Sequence, residues 1–175
     1  DWKIQGKAMY GGSPSVTADS QGNVYSRWNY EDMDIPTLTK HHDDGTELWD
    51  TPMIQSGSFA VGSSDYLFAA GQNIEKYDPD GNIIWSNQLY DTSLCSSPSI
   101  NLAHLTSAIT FDGVGNTYVS GWTNIIDGAC TDSMTEDAFL MKFDSEGELQ
   151  WSRQYGEEGQ QDWGAGSATD VNGNT

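Results

Sequence analysis

The chain has 175 residues, 36% of them hydrophobic and 11% aromatic, enough for one ordered globular domain or part of a larger one. Seven Lys and Arg stand against 26 Asp and Glu, a net charge of −19, which argues against nucleic acid and against anionic membranes, since phosphates bind through cationic side chains. Apolar runs stay far below the ~18 residues that span a bilayer, so no membrane insertion is expected, and the start at Asp1 points to a processed or excised piece.

In chain order, "DWKIQGK" (1–7) is an extended segment with a Trp at its second position. "PSVTAD", "NVYSRWN", "PTLTKHHD" and "TELWDTPM" follow, short segments rich in β-branched or small residues, each ending at a turn. The same order of four, here A to D, returns as "GSFAVG", "DYLFAAGQ", "NIEKYDPD" and "NIIWSNQLY", and again as "SAITFD", "NTYVSGWT", "DAFLMKFD" and "ELQWSRQYG". "GSATDVNGNT" at the end is an A segment once more. No segment of useful length places apolar residues at helical spacing, so the chain reads as all-β.

Two turn motifs alternate along this order. "HDDGTELW" (42–49), "YDPDGNIIW" (77–85) and "FDSEGELQW" (143–151) each carry Asp, then Gly, then Trp four residues after the Gly. They place Gly45 with Trp49, Gly81 with Trp85 and Gly147 with Trp151 between the C and D strands. "TADSQGNVY" (17–25), "TFDGVGNTY" (110–118) and "ATDVNGNT" (168–175) form the A to B turns, with a degenerate counterpart in "AVGSSDYLFAAG" (60–71). Four-stranded units repeated every few tens of residues predict a β-propeller of antiparallel blades. Three full blades fall at about 12–53, 57–90 and 107–156, flanked by partial strands at 1–7 and 166–175. Propellers have four to eight blades, so further blades in a longer chain, a composite fourth blade or a homo-oligomer are needed to cover the open edges.

The couplet "DAFLMKFDSEGELQWSRQYG" and "DWGAGSATDVNGNT", with "FDGVGNTYVSGWT", resembles the bacterial SBBP-type β-propeller repeats of secreted and cell-surface proteins. The Gly-x-x-x-Trp element is also similar, more distantly, to the tryptophan-docking repeat of PQQ-dehydrogenase-like propellers. The second unit departs from the pattern by lacking the Gly-Asn-x-Tyr turn. These resemblances imply an extracellular or cell-surface location, with the periplasm as an alternative.

"DPDGN" invites a calcium reading, since Asp78 and Asp80 alternate as calcium ligands do. Gly81 follows too early, however, and no Glu closes the loop. A hairpin turn accounts for the same residues: Asp78 accepts backbone N–H groups, Pro79 presets φ and Gly81 takes the left-handed φ. Calcium stays open as an added ligand, and no other cofactor, metal site or catalytic constellation is evident. The repeated Trp49, Trp85 and Trp151 are expected to pack between sheets, whereas Trp28, Trp122 and Trp163 fall outside the series and are the candidates for ligand stacking.

Cys95 and Cys130 sit in the two unrepeated inserts, 91–106 and 123–137. D to A and B to C connections emerge on the same face of a propeller, so a disulfide between them is expected, along with an oxidising compartment. Variable loops on a rigid scaffold carry recognition, which makes this face the expected contact for a protein or glycan partner. The expected function is a non-enzymatic scaffold or binding module. A fragment of a quinoprotein-type oxidoreductase and a carbohydrate-binding lectin are the alternatives.

Overall fold

A computed structural model describes residues 16–28, 37–52, 57–71, 73–89, 105–123, 125–126, 129–130, 136–157 and 160–175. These residues form an all-β fold of three four-stranded antiparallel sheets, with no α-helix among them. The first sheet holds β1 (Val16–Ala18), β2 (Val24–Trp28), β3 (Thr37–His41) and β4 (Glu47–Pro52) in that order. The second holds β5 (Ser58–Val61), β6 (Leu67–Ala70), β7 (Asn73–Tyr77) and β8 (Ile83–Gln88). The third holds β9 (Leu105–Phe111), β10 (Thr117–Thr123), β13 (Asp137–Phe143) and β14 (Leu149–Tyr155). A two-stranded ribbon, β11 (Ile125–Ile126) with β12 (Ala129–Cys130), rises from the connection between the two middle strands of the third sheet. The terminal segment 1–7, expected as a partial strand, lies outside the described residues. Segment 166–175 is described, and its residues lie in no strand ladder.

One local geometry is used six times to reverse the chain. In each turn the first residue donates its N–H to the carbonyl four residues on, as Asp78 does to Asn82 at 2.9 Å, and a glycine three residues on donates back to it, as Gly81 does at 3.0 Å. Gly22, Gly45, Gly81, Gly115, Gly147 and Gly173 all hold φ between 84° and 90°, which a side chain disfavours. At the three C to D turns the ladder then slips by one residue, at Lys40/His41, Lys76/Tyr77 and Lys142/Phe143. That slip is the bulge such a glycine creates.

The carboxylates at these turns are occupied by the backbone. Asp78 Oδ1 accepts from the N–H groups of Asp80 and Asn82 at 3.0 and 2.9 Å, and both its oxygens accept from the Asn82 amide. Those bonds, the Asn82 amide's first, hold its carboxyl below the ordinary value of 3.8. In the first sheet a His opens the turn where Asp78 and Asp144 open the others: His42 takes the first position, and Asp44 accepts the N–H of Thr46 at 2.9 Å. The second sheet lacks the repeated A to B turn. Gly62 stands where Asp19 and Asp112 stand, and Ser64 and Asp65 both adopt φ 61°. Left-handed φ costs a non-glycine residue roughly 1–2 kcal/mol, and the Asp65 carboxylate offsets it by accepting the Ser20 N–H and hydroxyl of the first sheet, each at 2.7 Å.

The sheets pack face to face in chain order, with β1 against β5 and β5 against β9. Between the first and second lie Tyr25, Leu38, Phe59, Leu67, Ala69 and Tyr77. A larger apolar cluster joins the second and third, built on Phe68, Ile74, Ile109, Val119, Phe139 and Met141. The outermost strands β4, β8 and β14 are largely exposed, with polar residues alternating around one half-buried Trp each.

Candidate functional site

The repeated Trp residues are spent on packing. The six-membered ring of Trp49 lies over Gly81, where an added Cβ would stand 3.0 Å from it, and Trp85 lies over Gly147, where the same distance is 2.8 Å. Each rests edge-on against an aromatic of its own sheet, Tyr25 at 5.8 Å and Phe68 at 6.0 Å between centroids. Gly81 and Gly147 are therefore required twice, for the turn and for the neighbouring ring. Trp151 takes the same pose against Tyr118, at 6.1 Å.

Two of the Trp residues outside that series, Trp122 and Trp163, meet at the end of the third sheet where its B to C and D to A connections emerge. Trp122 on β10 and Trp163 in the D to A connection lie with ring centroids 6.4 Å apart, tilted by 35°. Trp163 keeps 64% of its surface exposed, yet its indole Nε1 donates to Glu136 Oε2 at 2.7 Å. Glu136 is 7% exposed and also accepts from the Gln161 amide at 3.4 Å. Its backbone fixes the same junction, pairing with Gln161 in a parallel bridge and accepting the Asp162 N–H at 2.6 Å. Asp162 in turn accepts the N–H of Glu157 at 2.9 Å.

Two glycines let the connection close onto the sheet. A Cβ on Gly164 would stand 2.4 Å from the Gly121 carbonyl, and one on Gly156 would overlap the Asp137 carboxylate. Beyond them the chain runs back along the third sheet, where the Ser120 hydroxyl donates to Ser167 at 3.0 Å and Thr110 and Thr169 share a hydroxyl bond of 2.6 Å. The arrangement is a pair of tilted aromatic rings, one of them anchored through its indole N–H to the Glu136 carboxylate.

The remaining sequence candidates are distributed differently. Only the backbone of Trp28, at the end of β2, belongs to the described residues, and the same holds for Cys130 in β12. Cys95 and most of 91–106 lie outside them, and so does the expected Cys95–Cys130 pairing. Among the described residues, no three His, Cys, Asp or Glu converge as a metal site would require, and no helix is long and apolar enough to cross a membrane. Glu136 and Gln161 carry no signal in the sequence, because neither belongs to a repeated motif and the contacts that matter span 25 and 27 residues.

No family model matches the chain, and no curated protein is significantly similar to it. Among solved structures, a protein of unknown function from Bacteroides caccae aligns over 93% of this chain and 74% of its own, at 14% identity and a TM-score of 0.34. A likeness that loose carries no argument about fold or function.

Proposed function

We propose that the three sheets are blades of a β-propeller that acts as a non-enzymatic binding module, secreted or displayed at the cell surface. It engages a protein or glycan partner through the end of the third sheet that carries Trp122 and Trp163. The observation that carries this reading is the bond from the exposed Trp163 to the buried Glu136. A large aromatic held in one orientation before the ligand arrives gives up little further entropy on binding, which is what a recognition surface needs. The contacts of β1 with β5 and β5 with β9 support the blade arrangement, because the first strands of successive blades adjoin in a propeller. The SBBP resemblance supports the location.

The surrounding carboxylates and the net charge of −19 favour neutral or cationic ligands over anionic ones. Glycan and protein arrays probed with the native protein and with Trp163→Ala test the reading. We expect a defined ligand set whose binding falls at least tenfold in the variant, with Glu136→Gln falling severalfold. Ligands held equally well by both variants would place recognition elsewhere, and redox-dye reduction with added quinone and calcium would return the oxidoreductase alternative.

A further inference from the structure

Asp78 is the one aspartate of the chain that a proline follows. The same turn recurs at Asp144, where Ser145 comes next, and the A to B turns continue Asp19 with Ser20, Asp112 with Gly113 and Asp170 with Val171. An Asp–Pro bond is a weak peptide linkage in acid for two chemical reasons. The side-chain carboxyl can close a five-membered ring on its own main-chain carbonyl carbon, and the proline nitrogen, which carries no N–H, takes a proton and leaves more readily than a secondary amide nitrogen.

The folded turn holds both partners of that reaction. The Asp78 carboxylate accepts from the N–H groups of Asp80 and Asn82 at 3.0 and 2.9 Å and from the Asn82 amide at 3.3 and 3.0 Å, so its lone pairs are engaged by the turn. The Asp78 carbonyl oxygen accepts the Gly81 N–H at 3.0 Å, which fixes the peptide plane. Pro79, on the leaving side, is gripped from the neighbouring sheet: its carbonyl accepts from Lys40 Nζ at 3.2 Å and from Trp49 Nε1 at 3.0 Å. A proline held in this way stays beside the opened carbonyl, and its nitrogen can re-form the amide.

The charges around the carboxylate are Asp80 within the turn, Lys40 reaching across from β3, and Asp19 paired with Lys40 at 3.3 Å. Lys76, on the same strand as Asp78, reaches toward Ser145 of the third sheet instead. The bonds to Asp78, the Asn82 amide's first, hold its carboxyl below the ordinary 3.8. Acid that protonates an unconstrained aspartate therefore leaves Asp78 mostly ionised while the turn is intact. The protonated form is the reactive one, because it supplies both the attacking oxygen and the proton.

We propose that Asp78–Pro79 is a self-cleaving bond, latched by the folded turn and released in acid. A carboxyl oxygen of Asp78 bonds to the Asp78 carbonyl carbon, the C–N bond to Pro79 breaks, and the carboxyl proton passes to the Pro79 nitrogen. Water then opens the cyclic anhydride, leaving Asp78 as a C-terminal residue and Pro79 as a new N-terminus. The cut falls between β7 and β8, so it parts the first sheet and three strands of the second from β8 and the third sheet. The β7–β8 ladder and the packing of the second sheet on the third are then what hold the two pieces together.

Intact mass follows cleavage over days at pH 3.8, below the unfolding temperature, with circular dichroism reporting the fold. The linear peptide 73–88, "NIEKYDPDGNIIWSNQ", is the unlatched reference. We expect fragments 1–78 and 79–175, formed about tenfold more slowly from the folded protein than the peptide is cut, with the two rates converging as the pH falls further. Asn82→Ala should speed cleavage severalfold in protein that stays folded. Should that variant not fold, Trp49→Phe, which strips one donor from the Pro79 carbonyl, takes its place with the same expectation. Pro79→Ser should abolish the cut, and Asp144–Ser145 should stay intact throughout. Equal rates in folded protein and peptide, or a folded variant cut no faster than the native chain, overturns the latch. Absence of the cut at any acidity, or its persistence in Pro79→Ser, overturns the proposal altogether.

Discussion

The two contacts between sheets share the Trp-over-glycine seat and differ in what surrounds it. The first is polar at its rim. Lys40 and Asp19 form an ion pair at 3.3 Å with side chains 7% and 0% exposed, Tyr77 donates to the buried Glu75 at 2.5 Å, and Trp49 Nε1 donates to the Pro79 carbonyl at 3.0 Å. The second relies on a larger apolar cluster. There Trp85 Nε1 is buried with no hydrogen-bond partner among the described residues, and no aspartate faces Lys76, because Gly62 fills that turn position. A repeated backbone thus accommodates two kinds of interface: one specified by directional bonds, the other by volume.

That contrast sets an order of expected effects. Phe139→Ala removes a 2%-exposed ring from the second contact and should cost about 3–5 kcal/mol, against about 2–4 kcal/mol for Leu38→Ala in the first. Urea denaturation of both variants measures this, and a larger loss for Leu38→Ala would break the distinction. Removing one partner of the buried ion pair comes next. Lys40→Met should cost roughly 2 kcal/mol, moderated because Asp19 keeps its bonds from Asn23 and Gln21, whereas Lys76→Met should cost well under half as much. The smallest effect is the most discriminating. Trp49→Phe forfeits a satisfied indole bond and Trp85→Phe removes an unsatisfied one, so the second should be milder by about 1–2 kcal/mol.

Acid should weaken the first contact as well. Burial opposes ionisation of Asp19, but hydrogen bonds from Asn23, Lys40 and Gln21 outweigh it and hold the carboxyl below 3.8. A carboxylate with a lowered folded value contributes stability that is fully present above 3.8 and lost as pH falls through the lowered value. Burial likewise opposes the charge on Lys40, yet Tyr25 and Asp19 hold its value above 10.5, so its contribution is intact below 10.5 and lost as pH rises through the raised value. Hydrogen exchange should therefore show β2 and β3, which Asp19 and Lys40 tie together, losing protection once the pH drops below 3.8, and the β7–β8 turn that the lowered Asp78 holds should loosen in the same range.

What the sequence made legible was whatever recurs. Six turn glycines and the two Trp residues docked on them, Trp49 and Trp85, could be read because each position is imposed by a local rule: a left-handed φ, or a ring that needs a bare backbone beneath it. The left-handed Ser64 and Asp65 could not be read, since nothing local calls for that conformation; it is held by Ser20, in another sheet and 45 residues away from Asp65. The anchoring of Trp163 by Glu136 was hidden for the same reason, as was the burial of Lys40 and Glu75, which composition alone would place on the surface. The β11–β12 ribbon, two residues per strand, is too short to leave any periodic signal.

The clasp between Asp65 and Ser20 also bears on modularity. Although the three units share a turn chemistry, the middle one carries a fitting cut for its left-hand neighbour alone: an aspartate in a strained backbone that reaches for a serine hydroxyl and amide. Transplanted behind the third unit it would meet the turn at Gly113, which has no hydroxyl to offer. The units are therefore not interchangeable tiles, and their order is fixed by small keyed contacts as well as by the peptide bonds that join them.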